Sequence, residues 1–223
     1  MFEFSSTILW RELQIAMQRK GAILATLLFY CIILSLFLLL TSANSQQILW
    51  LVPGFFWIAA LLSQYMAQEN SFRDDFNLGI FEQCIVSGNS LCGLVFSKIL
   101  GQWLLNALPL ILITPILAQL FAMPLNSICV LCVSLGLGTP SLSMIAALGS
   151  AITISLPQGG VMLAIIVLPL YLPILILGCS ATMLSIETLN YNGQLALLAA
   201  LSMLSLLFVP LAISTAIKAS IAC

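Results

Sequence analysis

Histidine is absent from all 223 residues. The imidazole that binds zinc or haem iron is therefore missing, as is the commonest general base near neutral pH. A Ser–His protease centre cannot be built from this chain alone. Charge is nearly as scarce: six Lys or Arg and seven Asp or Glu make up 6% of a sequence that is 62% hydrophobic. An ordinary soluble domain is about 25% charged and about 45–50% apolar. So few polar groups cannot cover a soluble fold of this size, and most of the chain must meet lipid. A cytoplasmic enzyme and a secreted disulfide scaffold are excluded. The net charge of −1 gives no pull toward phosphate, which excludes a nucleic-acid binder.

The glycine-lysine loop that cradles ATP phosphates is also missing. None of Lys20, Lys98 and Lys218 follows its spacing, so any ATP must be bound by another polypeptide. The seven cysteines are an odd number. Cys31, Cys129, Cys132 and Cys179 fall in or beside apolar stretches and read as small hydrophobic filler. Cys129 and Cys132 form C-x-x-C, but no neighbouring group that would lower a thiol pKa is visible.

What is present is six apolar stretches, approximately 21–41, 48–67, 99–121, 128–154, 161–181 and 194–217. Each meets the roughly 20 residues needed to cross a ~30 Å hydrocarbon core. The first is longer than a signal-peptide core of about 7–15 residues and reads as a retained helix. Arg11, Arg19, Lys20, Arg73, Lys98 and Lys218 then all fall on one side, which places both termini and the 68–98 segment in the cytoplasm. The spans carry no interior charge, which argues against a proton-coupled transporter or voltage sensor. Pro53, Pro109, Pro115, Pro140, Pro169, Pro173 and Pro210 lie inside them. Each prolyl nitrogen frees a carbonyl, so these sites read either as broken helices lining a path or as shaped packing, the second slightly favoured at any one site. Ala59, Ser63 and Ala67 form a small-residue stripe suited to close helix contact.

Six of the charged residues lie in the 68–98 segment. Phe72, Phe76, Ile80 and Cys84 recur at spacing four, giving one apolar helix face opposite Arg73, Asp74, Asp75, Asn77, Glu82 and Gln83. An interfacial helix would favour Lys and Arg against anionic lipid. One arginine against three acids suits a protein partner better. A second amphipathic helix is expected near the N-terminus, where Leu9, Leu13 and Met17 share a face beside Trp10. It would form an elbow over residues 1–20, leading into the first span.

Four blocks then follow in order: Val52-Pro53-Gly54 through Leu62; Phe72-Arg73-Asp74-Asp75 with Gly79 and Glu82-Gln83; Leu137-Gly138-Thr139-Pro140-Ser141-Leu142; and Gly159-Gly160-Val161 through Pro169-Leu170 with Pro173. Together they resemble the CcmB family of haem exporter permeases over nearly the whole chain. Two departures stand out: Pro157-Gln158 where the family commonly has a basic residue, and Gly88-Asn89 where it tends to have proline.

The resemblance implies an all-α integral membrane protein: one 1–223 permease domain of six transmembrane helices, an ABC-exporter-like half-transporter of the bacterial inner membrane. It implies a second copy of the chain and two ATP-binding CcmA-like subunits. Further partners would be CcmC-like and CcmD-like membrane subunits and a CcmE-like haem chaperone. No cofactor is expected on this chain; haem would be the transported substrate and ATP would sit on the partner. By the same analogy, Phe72, Arg73, Asp74, Asp75, Phe76, Gly79, Glu82 and Gln83 would couple to the ATPase, with Arg73, Asp74, Asp75 and Glu82 foremost. Gly138, Thr139, Pro140, Pro169 and Pro173 are the helix-break or permeation candidates. Two functions stay open: a permease delivering haem for c-type cytochrome assembly, and a mechanical adaptor releasing a haem-loaded chaperone without passing haem itself. A permease for another lipid-like substrate is disfavoured by the four blocks. An enzyme is the least favoured, because no nucleophile–base constellation is present.

Overall fold

The computed structural model describes residues 20–40, 49–68, 75, 78–86, 90–153 and 159–222. All regular structure among them is helical: α1 (Lys20–Leu40), α2 (Val52–Gln68), α3 (Ile80–Val86), α4 (Leu91–Leu120), α5 (Leu125–Ile152), α6 (Gly159–Ile186) and α7 (Asn192–Ala222). The elbow expected over residues 1–20 lies outside the described residues, apart from Lys20.

Four helices are long and apolar enough to cross a membrane: Leu91–Leu120, Leu125–Ile152, Met162–Ile186 and Asn192–Ile217. The six crossings expected from the sequence are thus met in four. The apolar stretches of the first two helices, Ile23–Leu39 and Val52–Ala67, are shorter. At about 1.5 Å per residue the 17-residue α2 extends about 25 Å, less than a ~30 Å hydrocarbon core.

The prolines do not end the helices. α4 runs through Pro109 and Pro115, α5 through Pro140, α6 through Pro169 and Pro173, and α7 through Pro210. Each costs one intrahelical hydrogen bond, and the turns on either side continue. Pro53 sits in the first turn of α2, where its missing N–H would have had no partner anyway.

α5 is the central helix. Its most apolar window is 61% buried inside the protein, against 22% for α4, 28% for α6 and 33% for α7. Small side chains make that position possible. Gly138, Ala146, Ala147, Gly149 and Ala151 let neighbouring helices approach closely, with Ser134, Thr139, Ser141 and Ser143 buried between them. One core cluster joins α1, α2, the C-terminal half of α4, α5, α6 and Leu198 of α7 around Tyr30, Phe56, Trp57, Leu131 and Tyr171. Phe37 stacks on Phe55 with ring centroids 4.1 Å apart, and Phe56 meets Tyr30 and Phe121 edge-on. A second cluster joins α3 to the opposite ends of α4, α5 and α7.

Candidate functional site

Two regions hold the residues singled out in the sequence: the segment before α4 and the middle of α5. Of the first set, Phe72, Arg73, Asp74 and Phe76 lie outside the described residues, as does the side chain of Glu82. Asp75, Gly79 and Gln83 are described. Gly79 has a φ of 69°. That left-handed conformation costs glycine little and any other residue strain. It bends the chain just before Ile80, where α3 begins, and Gln83 N–H donates back to the Gly79 carbonyl at 3.0 Å. An unbroken helix from Phe72 to Cys84, as the spacing of four suggests, is therefore not what forms.

The bend also changes which side chain anchors the segment. Phe81 is buried at 1% exposure in the second cluster, whereas Ile80 is only half-buried. Leu78, Gln83 and Val86 are exposed on the outer side.

Asp75 turns inward. Its carboxylate accepts a hydrogen bond and ion pair from the Lys98 ammonium, and the two side chains are 14% and 5% exposed. Lys98 lies about two turns inside α4, because that helix begins at Leu91 rather than at the expected 99. The sequence offered Lys98 only as a loop charge for orientation; its role as the counterion of Asp75 carries no spacing signal.

In the second region Gly138 and Thr139 are buried on α5 and Pro140 is half-buried. Thr139 Oγ1 accepts a hydrogen bond from Trp103 Nε1 of α4 at 3.0 Å. Gly138 faces the Trp57 indole of α2; a methyl group there would overlap Trp57 Cη2 and approach Ile174 Cγ2 to 3.3 Å. Pro169 and Pro173 are not brought to this place: both are exposed on α6. Tyr171, between them, is buried and donates to the Leu142 carbonyl at 2.9 Å.

Polar side chains are also buried at several levels of the bundle, which sequence reading missed because Ser, Thr and Gln scatter through apolar runs without a period. Ser143 Oγ donates to Gln64 Oε1 at 3.2 Å. Thr114 Oγ1 donates to the Leu110 carbonyl, so Tyr30 is the donor in its 2.8 Å bond to Thr114. Gln64 Nε2, Ser63 Oγ, Ser97 Oγ, Ser141 Oγ and Trp57 Nε1 are buried without a hydrogen-bond partner among the described residues. A buried amide donor left unmade costs about 1–3 kcal/mol. Gln64→Leu removes that donor at similar volume, and the freed Ser143 hydroxyl can turn to its own helix backbone. We expect the variant to gain on the order of 1 kcal/mol. Thermal denaturation in detergent would show a midpoint a few degrees higher; an equal fall would mean that the amide is satisfied in the folded protein.

The described cysteines, Cys31, Cys92, Cys129, Cys132 and Cys179, are all free thiols. Among the described residues no three Cys, Asp or Glu side chains are grouped to hold a metal ion.

The CcmB protein family model matches residues 3–220. The chain is similar to a heme exporter protein B of Pseudomonas aeruginosa, 40% identical over 216 residues, covering 97% of each chain. A heme exporter protein B of Haemophilus influenzae is 39% identical over 214 residues, covering 96% of this chain and 97% of the relative. That of Escherichia coli K12 is 36% identical over 216 residues, covering 95% and 98%.

Proposed function

The chain belongs to the CcmB family, and from that membership we propose that it is a membrane subunit of a haem-export complex serving c-type cytochrome biogenesis. The observation that carries this reading is similarity along the whole chain to proteins named heme exporter protein B. In the fuller form of the proposal the chain is the permease of an ABC transporter in the bacterial inner membrane, with six crossings and both termini cytoplasmic. It pairs with a second copy and with ATP-binding CcmA-like subunits, alongside CcmC-like, CcmD-like and CcmE-like partners. ATP is hydrolysed by the partner, and haem is the substrate.

The 72–86 segment is the proposed contact with the ATPase. Its described residues Leu78, Gln83 and Val86 are exposed, and Arg73, Asp74 and Glu82 are the charged residues of the same stretch of sequence. Gly138, Thr139 and Pro140 stand at the centre of the bundle, where α2, α4 and α5 would have to slide if the packing alternates between two states. A second reading is favoured by the absence of histidine: the chain transmits the ATPase stroke to release a haem-loaded chaperone and never ligates haem.

Affinity purification of the tagged chain from native membranes in mild detergent tests the proposal. We expect an ATP-binding subunit and a haem-handling membrane protein to co-purify. Asp74→Lys with Arg73→Glu should lower recovery of the ATP-binding subunit at least tenfold without reducing the chain's own amount in the membrane. No ATP-binding protein beside an intact, folded chain would defeat the permease reading.

A further inference from the structure

The 75–86 segment is pinned to the bundle at two points. At one end the Asp75 carboxylate is paired with the Lys98 ammonium inside the base of α4. At the other Phe81 is buried among Leu94, Ile99, Met144 and Ile213, which belong to α4, α5 and α7. Between these points the chain turns at Gly79 and presents Leu78, 72% exposed, on its outer side. Val86, beyond Phe81, is 87% exposed as well. The segment thus has an outer side open to a partner and an inner side fixed to three long helices.

A flexible loop would absorb a push; this one cannot yield at either end without breaking the Asp75–Lys98 pair or emptying an aromatic site. A surface ion pair would be solvated and weak. This one is withdrawn from water, and the lysine is drawn into the helix base although its long stem would let it reach solvent.

We propose that the Asp75–Lys98 pair, acting with Phe81, is the mechanical tie that passes movement of the 75–86 segment into α4, and through the shared cluster into α5 and α7. The proposal rests on the reading that an ATPase docks on this segment. Asp75 and Lys98 are positioning residues: they touch neither ATP nor the cargo. Because the tie works by fixing position, the charges themselves are dispensable if the contact is kept. Replacing a buried ion pair by well-packed apolar side chains is often neutral or stabilising, whereas removing one partner is not.

The test uses the full chain expressed with its native complex. Asp75→Asn and Lys98→Met are made singly. Two paired variants accompany them, the swap Asp75→Lys with Lys98→Asp and the apolar pair Asp75→Leu with Lys98→Met. Four quantities are read: the chain in the membrane, co-purified ATP-binding subunit, ATP hydrolysis by the complex, and yield of c-type cytochrome. The single variants should keep the subunit and hydrolysis within twofold while cytochrome yield falls at least tenfold, a split that a purely structural role would not give. The paired variants should return the yield to within twofold of the wild type. Single variants with undiminished yield would overturn the tie, as would paired variants that are present in normal amount and do not recover. Should the single variants be missing from the membrane, the apolar pair decides: normal yield supports the tie, and lost yield in a folded complex refutes it. If the unaltered chain brings down no ATP-binding subunit, the docking reading itself fails, and this is seen before any variant is made.

Discussion

Alanine at Gly178 should destabilise the protein by about 3 kcal/mol, the upper part of the range for overpacking a core. Helix propensity points the other way, since alanine is favoured over glycine by about 1 kcal/mol in a helix interior. Geometry decides the sign. A methyl group at Gly178 would overlap Trp57 Cζ2 and Cε2. The indole cannot retreat, because on α5 Gly138 leaves room only for the same ring and Trp57 is fully buried. A flexible side chain would give by turning at its tip; a rigid bicycle wedged between two helix backbones moves as a whole or moves a helix. Gly149 is a useful contrast, since its methyl would meet single methyl groups of Val167 and Leu163 rather than a ring, and the leucine can turn at its tip.

Thermal denaturation of the purified protein in detergent should therefore show Gly178→Ala falling furthest, Gly138→Ala next and Gly149→Ala least. Trp57→Leu alone leaves a cavity, and loss of a large buried side chain costs up to about 3–5 kcal/mol. In that background Gly178→Ala should be nearly neutral, a coupling of about 2–3 kcal/mol between contacting sites. A higher midpoint for Gly178→Ala in the wild-type background would show that the notch is not filled by the indole.

This notch shows what could be read in the sequence and what could not. Apolar run lengths marked the four long helices α4 to α7 and the shorter apolar helices α1 and α2, because hydrophobicity over about 20 residues is a property of the run itself. The small-residue stripe on α2 also located a contact face, with Ala59 and Ser63 buried. But a tryptophan two residues before that stripe carries no sign that it fits opposite glycines 81 and 121 residues further on. Such complementarity is a relation between helices and leaves no period in any one of them. The Asp75–Lys98 pair escaped for the same reason: each residue reads as a cytoplasmic charge until folding brings them together. The prolines leave two readings open, and the continuous helices agree with the slightly favoured one, shaped packing. Their local chemistry suggests interruption, and the helices run through them because a single lost hydrogen bond is small beside the packing on either side.

The face of α3 is the sharpest disagreement, and it yields the second large expected effect. Spacing of four places Ile80 on the buried side, while the structure buries Phe81. The bend at Gly79 rotates the start of α3 relative to whatever precedes it, so periodicity carried across the glycine points to the wrong side. α3 has seven residues. Helices shorter than about 12–15 residues are marginal in water on their own, so tertiary contact must hold it. Phe81 is the side chain that enters the shared cluster with α4, α5 and α7. Truncating a buried phenylalanine to alanine removes about 3–5 kcal/mol. That exceeds what a two-turn helix can supply from its own hydrogen bonds, each worth about 1 kcal/mol net. Phe81→Ala should therefore release α3 while the long helices stay folded. Limited digestion in detergent by a broad-specificity protease should cut the 75–86 segment at least tenfold faster than in the wild type, with the remaining fragments still associated. Ile80→Ala should accelerate cutting only a few-fold, and Val86→Ala, at an 87% exposed position, should leave the rate unchanged. If Ile80→Ala proved the more damaging, the uninterrupted helix suggested by the spacing of Phe72, Phe76, Ile80 and Cys84 would be the correct one, and Phe81 would have to face outward.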